Sequence, residues 1–124
     1  MAPAPKQDVA YDRPGGERCG DLAARPIDMA HLARQTMGDR ALEQEILRLF
    51  AEHAMSVRKQ LAEASASERI RLAHGLKGSA RGVGAFAIGD CVAALETQPN
   101  DQATLERLSR LIEQACDFIS AINR

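Results

Sequence analysis

One histidine in the second half of the chain lies among cations at helical spacing. Arg71 precedes His74, and Lys77 and Arg81 follow it, at separations of three and four residues that place all four on one helix face. Cationic neighbours disfavour the imidazolium form, so a neutral ring nitrogen is available as a nucleophile, and they favour an anion attached to that nitrogen. The chemistry that this arrangement predicts is phosphoryl transfer.

Gly78 lies one turn beyond His74 on the same face. Helical side chains lean toward the helix N-terminus, so any side chain at this position would lean over the imidazole. Its absence clears space for a partner, which would account for a helix-propensity cost of ~1 kcal/mol against alanine. Spacing alone leaves two interpretations open. One is an ordinary surface histidine on a solvated helix face, and the other is a phosphoacceptor open to a partner's active site.

The spacing of the apolar residues predicts five helices and no strand. The helices cover about residues 28–37, 39–64, 67–84, 85–98 and 101–124. Asp28 can cap the first helix, Ser65 and Glu68 form a capping-box pattern before the third, and Gly84 is placed to form the turn that ends it. Four long helices with short connections predict an all-α, antiparallel up-and-down four-helix bundle, with a short extra N-terminal helix covering one end.

The same spacing predicts which residues of the two central helices face the core. The inward residues of the second helix are Leu42, Ile46, Leu49, Phe50, Val57 and Leu61. Those of the third are Ile70, Ala73, Leu76, Ala80 and Val83. His53 falls on the apolar side of the second helix, so we expect it to be packed in the core.

The composition agrees with one globular helical domain. The chain has 124 residues, of which 45% are hydrophobic and only 3% aromatic. Its 16 basic and 17 acidic residues give a net charge of -1, which predicts neither a nucleic-acid partner nor a membrane surface. Four of its five prolines lie in the first 26 residues, so we expect a flexible tail over residues 1–26 and the domain over residues 27–124.

The cysteines predict no disulfide framework and no zinc site. Cys19, Cys91 and Cys116 are an odd number without CxxC spacing, and Cys91 and Cys116 fall on apolar helix faces as small buried residues. We find no metal-ligand spacing elsewhere, and no signal segment or spanning helix. These observations predict a cytoplasmic protein that binds no metal.

A nucleotide loop is the main competing explanation for the glycines, and the surrounding pattern argues against it. Residues 82–87, GVGAFA, fit a loose G-x-G-x-x-A fingerprint, but that fingerprint requires a preceding strand and here a helix precedes it. The order of Lys77, Gly78 and Ser79 does not fit a P-loop either. The sequence therefore predicts no ATP site.

The residues around His74 resemble a known family motif. Residues 73–80, AHGLKGSA, followed by Gly84-Ala85, Cys91 and Leu95-Glu96, closely resemble the H-x-L-K-G-S pattern, with trailing G-A and L-E, of histidine-containing phosphotransfer (HPt) domains. The helix order from about residue 27 onward is similar too. The resemblance covers most of the predicted domain.

The resemblance implies a role for each matching residue. His74 would be the phosphoacceptor, Lys77 would assist the phosphoryl group, and Gly78 would give a partner access. Ser79 would be a small residue packed against the neighbouring helix, while Arg71 and Arg81 extend the basic face. Gly75 and Gly82 are not part of the family pattern and have no predicted role.

The function implied is that of a free-standing, monomeric phosphotransfer intermediate. It would pass a phosphoryl group between aspartates of receiver domains, those of a hybrid histidine kinase and of a response regulator. The receiver would supply Mg²⁺, and this chain would bind no cofactor and have no kinase activity of its own. The alternative is a non-catalytic helical-bundle module that regulates a kinase or a response regulator.

Overall fold

The computed structural model describes residues 25–123, which form five helices. They are α1 (Met29–Thr36), α2 (Arg40–Glu63), α3 (Ala66–Val83), α4 (Phe86–Thr97) and α5 (Gln102–Ile122). No strand occurs within these residues, so the all-α prediction is confirmed. The predicted tail lies, up to residue 24, outside the described residues, as does Cys19, and the predicted domain boundary stays a prediction.

Side-chain caps determine where three of the helices begin. The Asp28 carboxylate accepts from the backbone amide of His31 at 3.0 Å, and Asp39 does the same for Leu42 at 3.1 Å. Ser65 and Glu68 form the complete capping box at the start of α3. These caps satisfy backbone donors that have no partner in the first turn of a helix. Local chemistry is therefore sufficient to start α1, α2 and α3.

The four long helices form a closed ring of contacts. α2 packs against α3, α3 against α4, α4 against α5, and α5 against α2, while α1 lies on α2 and α3. Three bonds show that α2 and α5 run in opposite directions: Asn123 to Gln44, Cys116 to Ala51, and Arg58 to Ser109. The protein is therefore a helical bundle, with α3 and α5 diagonally opposed.

The core of the bundle is apolar and includes both cysteines of the described residues. Its fully buried side chains include Leu47, Leu76, Leu95 and Ile112, and alanines at 54, 73, 80 and 115 allow the helices to approach closely. Cys91 is buried and Cys116 half-buried, and burial raises the pKa of both thiols. No helix within residues 25–123 is long and apolar enough to cross a membrane.

The predicted inward face of α2 is confirmed at Phe50, Val57 and Leu61 and is wrong by one position in the first half of the helix. The buried series consists of Glu43, Leu47, Phe50, Ala54, Val57 and Leu61. Leu42 and Leu49 lie one residue earlier on the flank and are 44% and 51% exposed, and His53 is exposed rather than packed. Apolar residues lie both in the buried series of α2 and beside it. Only the position of the neighbouring helices decides which of these residues are covered.

The first turn of α3 also departs from the prediction. Ile70 is 40% exposed, and the half-buried Arg69 takes the inward position. The Arg69 guanidinium donates to the carbonyl oxygens of Leu61 at 3.0 Å and Pro99 at 3.1 Å. Arg69 thereby joins the end of α2 to the loop before α5. Because Arg69 occupies the inward position, Ile70 faces solvent.

Candidate functional site

The α3 backbone presents His74 to solvent. Its neighbours Ala73 and Leu76 are completely buried, whereas the His74 side chain is 75% exposed. The helix is fixed at its start by the Ser65 capping box and at its end by a left-handed turn at Gly84. The imidazole is thus held in the middle of a well-anchored helix, on the side away from the core.

A carboxylate from α4 contacts both His74 and Lys77. Glu96 Oε2 lies 3.0 Å from His74 Nδ1, and Glu96 Oε1 lies 2.5 Å from Lys77 Nζ. The Glu96 side chain is only 18% exposed. Its hydrogen bond to Lys77, and secondarily that to His74, hold the pKa of Glu96 below its ordinary value although burial acts in the opposite direction. Glu96 is therefore ionised at neutral pH.

The Glu96 contact determines which ring nitrogen of His74 carries the proton. An ionised carboxylate can only accept a hydrogen bond, so Nδ1 must be the donor. In the neutral imidazole the other nitrogen, Nε2, then holds the lone pair. The exposed ring consequently presents a fixed tautomer with Nε2 as its nucleophilic atom.

Sequence reasoning missed Glu96 as a site residue and mistook the surroundings of His74. The spacing along α3 placed only cations around the ring, whereas the structure adds an anion from the next helix. One signal for it was present. His74 precedes Gly84 by ten residues and Glu96 follows Ala85 by eleven, which is the register of two antiparallel helices joined by a tight turn.

Of the three predicted cations, Lys77 is linked to the His74 ring and the two arginines are not. Lys77 is one turn from His74 and its ammonium is bound to Glu96. Arg71 is exposed and lines a cleft between α2 and α3, together with Glu63 and Glu68. The stem of Arg81 lies against α4 at Gly89. The structure thus brings Lys77 to the histidine through a shared carboxylate and directs the two arginines elsewhere.

The glycines around His74 are of two kinds. A Cβ added at Gly75, Gly78 or Gly82 would meet no atom within 4 Å, so nothing in the fold requires glycine there. Gly84 has φ +92°, and a Cβ there would lie 2.8 Å from the Asp28 carbonyl oxygen. Ser79 is half-buried and its hydroxyl donates to the Gly75 carbonyl at 3.3 Å.

The described residues offer no competing metal centre. No group of three or more His, Cys, Asp or Glu side chains between residues 25 and 123 is arranged to hold an ion.

A comparison with protein families gives a match over most of the helical region. A family model described as the Hpt domain matches residues 44–118, which include His74, Lys77 and Glu96. Neither a curated protein nor a solved structure matches the chain. The family match spans more than half of the chain and all of α3 and α4. The chain therefore belongs to the Hpt domain family.

Proposed function

We propose that the chain receives and passes on a phosphoryl group at Nε2 of His74. Membership of the Hpt family implies a part in the phosphotransfer of a two-component phosphorelay. The proposal that Nε2 of His74 is the phosphoacceptor rests on two features of its side chain. Nδ1 lies 3.0 Å from the Glu96 carboxylate, and the side chain is 75% exposed. The donor and acceptor would be aspartates of receiver domains in a hybrid histidine kinase and a response regulator.

The transfer step follows from the tautomer of His74. The Nε2 lone pair forms a bond to phosphorus in line with the bond from phosphorus to the aspartate oxygen, and that oxygen leaves with its electron pair as a carboxylate. Nδ1 keeps its proton throughout, so no base has to remove one. The ring gains positive charge during the step, and the ionised Glu96 lies beside it to stabilise that charge. The reverse step uses the same groups.

The other site residues support this step from α3. Lys77 keeps Glu96 ionised and in position, and it lies one turn from His74 where it can also pair with phosphoryl oxygens. Gly78 leaves the ring open to the receiver, and Arg71 and Arg81 add positive charge toward the two ends of the face. The receiver would supply Mg²⁺ and this chain would bind none.

The phosphoryl group would come from a partner and not from ATP. We propose a monomeric, cytoplasmic intermediate without kinase activity, since its receiver partners carry the metal and the aspartyl phosphate. A non-catalytic binding module is the alternative, and it gives no reason for a histidine that is both exposed and held in one tautomer. The orientation of His74 by Glu96 therefore favours phosphotransfer over binding alone.

Labelling from a phosphorylated receiver domain tests the proposal. The full chain is incubated with a receiver carrying a ³²P-aspartyl phosphate, and we expect an acid-labile, alkali-stable label on the chain. His74→Gln should abolish the label. His53→Gln is the matched control, because it removes an exposed histidine from α2, and it should label like the wild type. Equal labelling of His74→Gln, or receiver binding without any label on the wild type, would contradict the proposal.

A further inference from the structure

The side chain of Arg81 lies against the neighbouring helix at a glycine. It lies in the last turn of α3, and its aliphatic stem crosses α4 at Gly89. A Cβ built on Gly89 would lie 3.0 Å from Arg81 Cγ and 3.3 Å from Nε. Gly89 is buried and Arg81 is exposed as a whole, so the inner part of the Arg81 side chain, as far as Nε, covers the glycine.

The guanidinium of Arg81 forms no ion pair within the part of the chain that the structure describes. Lys77 is paired with Glu96, but no carboxylate between residues 25 and 123 forms an ion pair with Arg81. Its backbone position lies two turns beyond His74, about 10 Å along the helix axis. Among residues 25–123, Arg81 is thus a cation whose stem is packed and whose charge has no ion-pair partner, on the same helix face as the nucleophile.

Helix stability does not account for this arrangement. A cation in the last turn of α3 is favourable because it opposes the partial negative charge of the helix C-terminus, but any lysine or arginine would serve. Glycine inside α4 costs ~1 kcal/mol relative to alanine. That cost is explained if the missing Cβ at Gly89 is the space that the Arg81 stem occupies.

We propose that Gly89 is a notch that positions Arg81 to bind a carboxylate on the partner receiver, beside the site where the receiver's phosphorylated aspartate meets His74. Arg81 is then a specificity-determining residue, and Gly89 acts through it. Receivers with an acidic side chain at that place are preferred, and receivers with a basic one are rejected. The inference rests on the proposed phosphotransfer through His74.

Transfer kinetics with separate KM and kcat values test this. The probe is a receiver domain phosphorylated with acetyl phosphate, chosen as the one from which the wild-type chain takes phosphoryl fastest. Arg81→Gln should lower kcat/KM about fivefold at low salt, through KM and not kcat, and should weaken the salt dependence of the rate. Arg110→Gln removes the same charge from α5, the helix diagonally opposite, and should change neither value.

A double-variant cycle tests the notch itself. Gly89→Ala should raise KM in the wild-type chain, because the new Cβ displaces the Arg81 stem, with the thermal midpoint recorded to show that the fold is kept. In an Arg81→Ala background, which lacks Cγ, the same Gly89→Ala change should have no effect on KM. An effect of equal size in both backgrounds would overturn the role of Gly89.

The failure of this inference is distinguishable from failure of the proposed function. If the wild-type chain takes phosphoryl from the receiver and Arg81→Gln does so with unchanged KM and salt dependence, only the role of Arg81 is wrong. If the wild-type chain takes phosphoryl from no receiver, the phosphotransfer proposal is wrong and the inference with it.

Discussion

Gly84 and Gly78 lie six residues apart and are glycine for opposite reasons. Gly84 has a left-handed backbone, and a Cβ there would lie 2.8 Å from the carbonyl oxygen of Asp28, in the segment that leads into α1. Gly78 is in the middle of α3 with ordinary helical geometry, and a side chain there would meet nothing within 4 Å. The fold itself requires the first glycine. The second lowers helix stability and has no packing role within the described residues, and we propose that it is glycine to let a partner approach His74.

The largest expected effect is on stability, at Gly84. Gly84→Ala should lower the free energy of unfolding by about 2 kcal/mol or more, because alanine is strained at positive φ and its Cβ would overlap the Asp28 carbonyl. Chemical denaturation measures this directly. A variant as stable as the wild type would show that the turn can relax to accept alanine. The fold would then not require glycine at position 84.

The next effect is on transfer, at Gly78. Gly78→Leu should slow phosphotransfer from a receiver about tenfold while the thermal midpoint is kept, since the added side chain leans over His74 and obstructs the partner. Gln114→Leu adds the same side chain to an exposed position on α5 and serves as the control. An unchanged transfer rate in Gly78→Leu would show that access is not the reason for this glycine.

The smallest effect should be a gain in stability. Gly75→Ala and Gly78→Ala should each raise the free energy of unfolding by up to ~1 kcal/mol, since alanine is the better helix former and the added methyl meets open space. Denaturant midpoints of the two variants and the wild type measure the gain. A loss of stability in either variant would mean that α3 has a structural need for glycine there, contrary to the geometry.

Features set by local chemistry could be predicted from the sequence. The caps at Asp28 and Ser65 and the turn at Gly84 depend on residues within a few positions of each other, and the first helix, α3 and its end follow from them. The exposure of His74 follows in the same way, because Ala73, Leu76 and Ala80 mark the buried side of α3.

Features set by the register between helices could not be predicted. His53 was assigned to the core because apolar residues flank it, yet the neighbours of α2 cover the face one residue further on. Arg69 takes the inward position in place of Ile70, and its guanidinium donates there to carbonyl oxygens of two other segments. Glu96 is the exception, because its separation from the turn at Gly84 matches that of His74 and so indicated the contact, although reasoning along α3 alone did not find it.

The three cations of the site show most clearly the difference between what spacing along one helix determines and what the neighbouring helices determine. Arg71, Lys77 and Arg81 share one face of α3 by spacing, as expected. Their long side chains nevertheless reach three different surroundings: a cleft toward α2, the Glu96 carboxylate, and the Gly89 notch. Spacing along one helix places the backbone of a residue, whereas the neighbouring helices decide where a long side chain ends.

The identity of the phosphorylated atom tests the central claim most directly. NMR of the chain, labelled with ¹⁵N in its histidines and phosphorylated by a receiver domain, reports which ring nitrogen is bonded to phosphorus. The account predicts a bond to Nε2 of His74, because Glu96 keeps the proton on Nδ1. Phosphorus on Nδ1 of His74, or on any other residue, would contradict it.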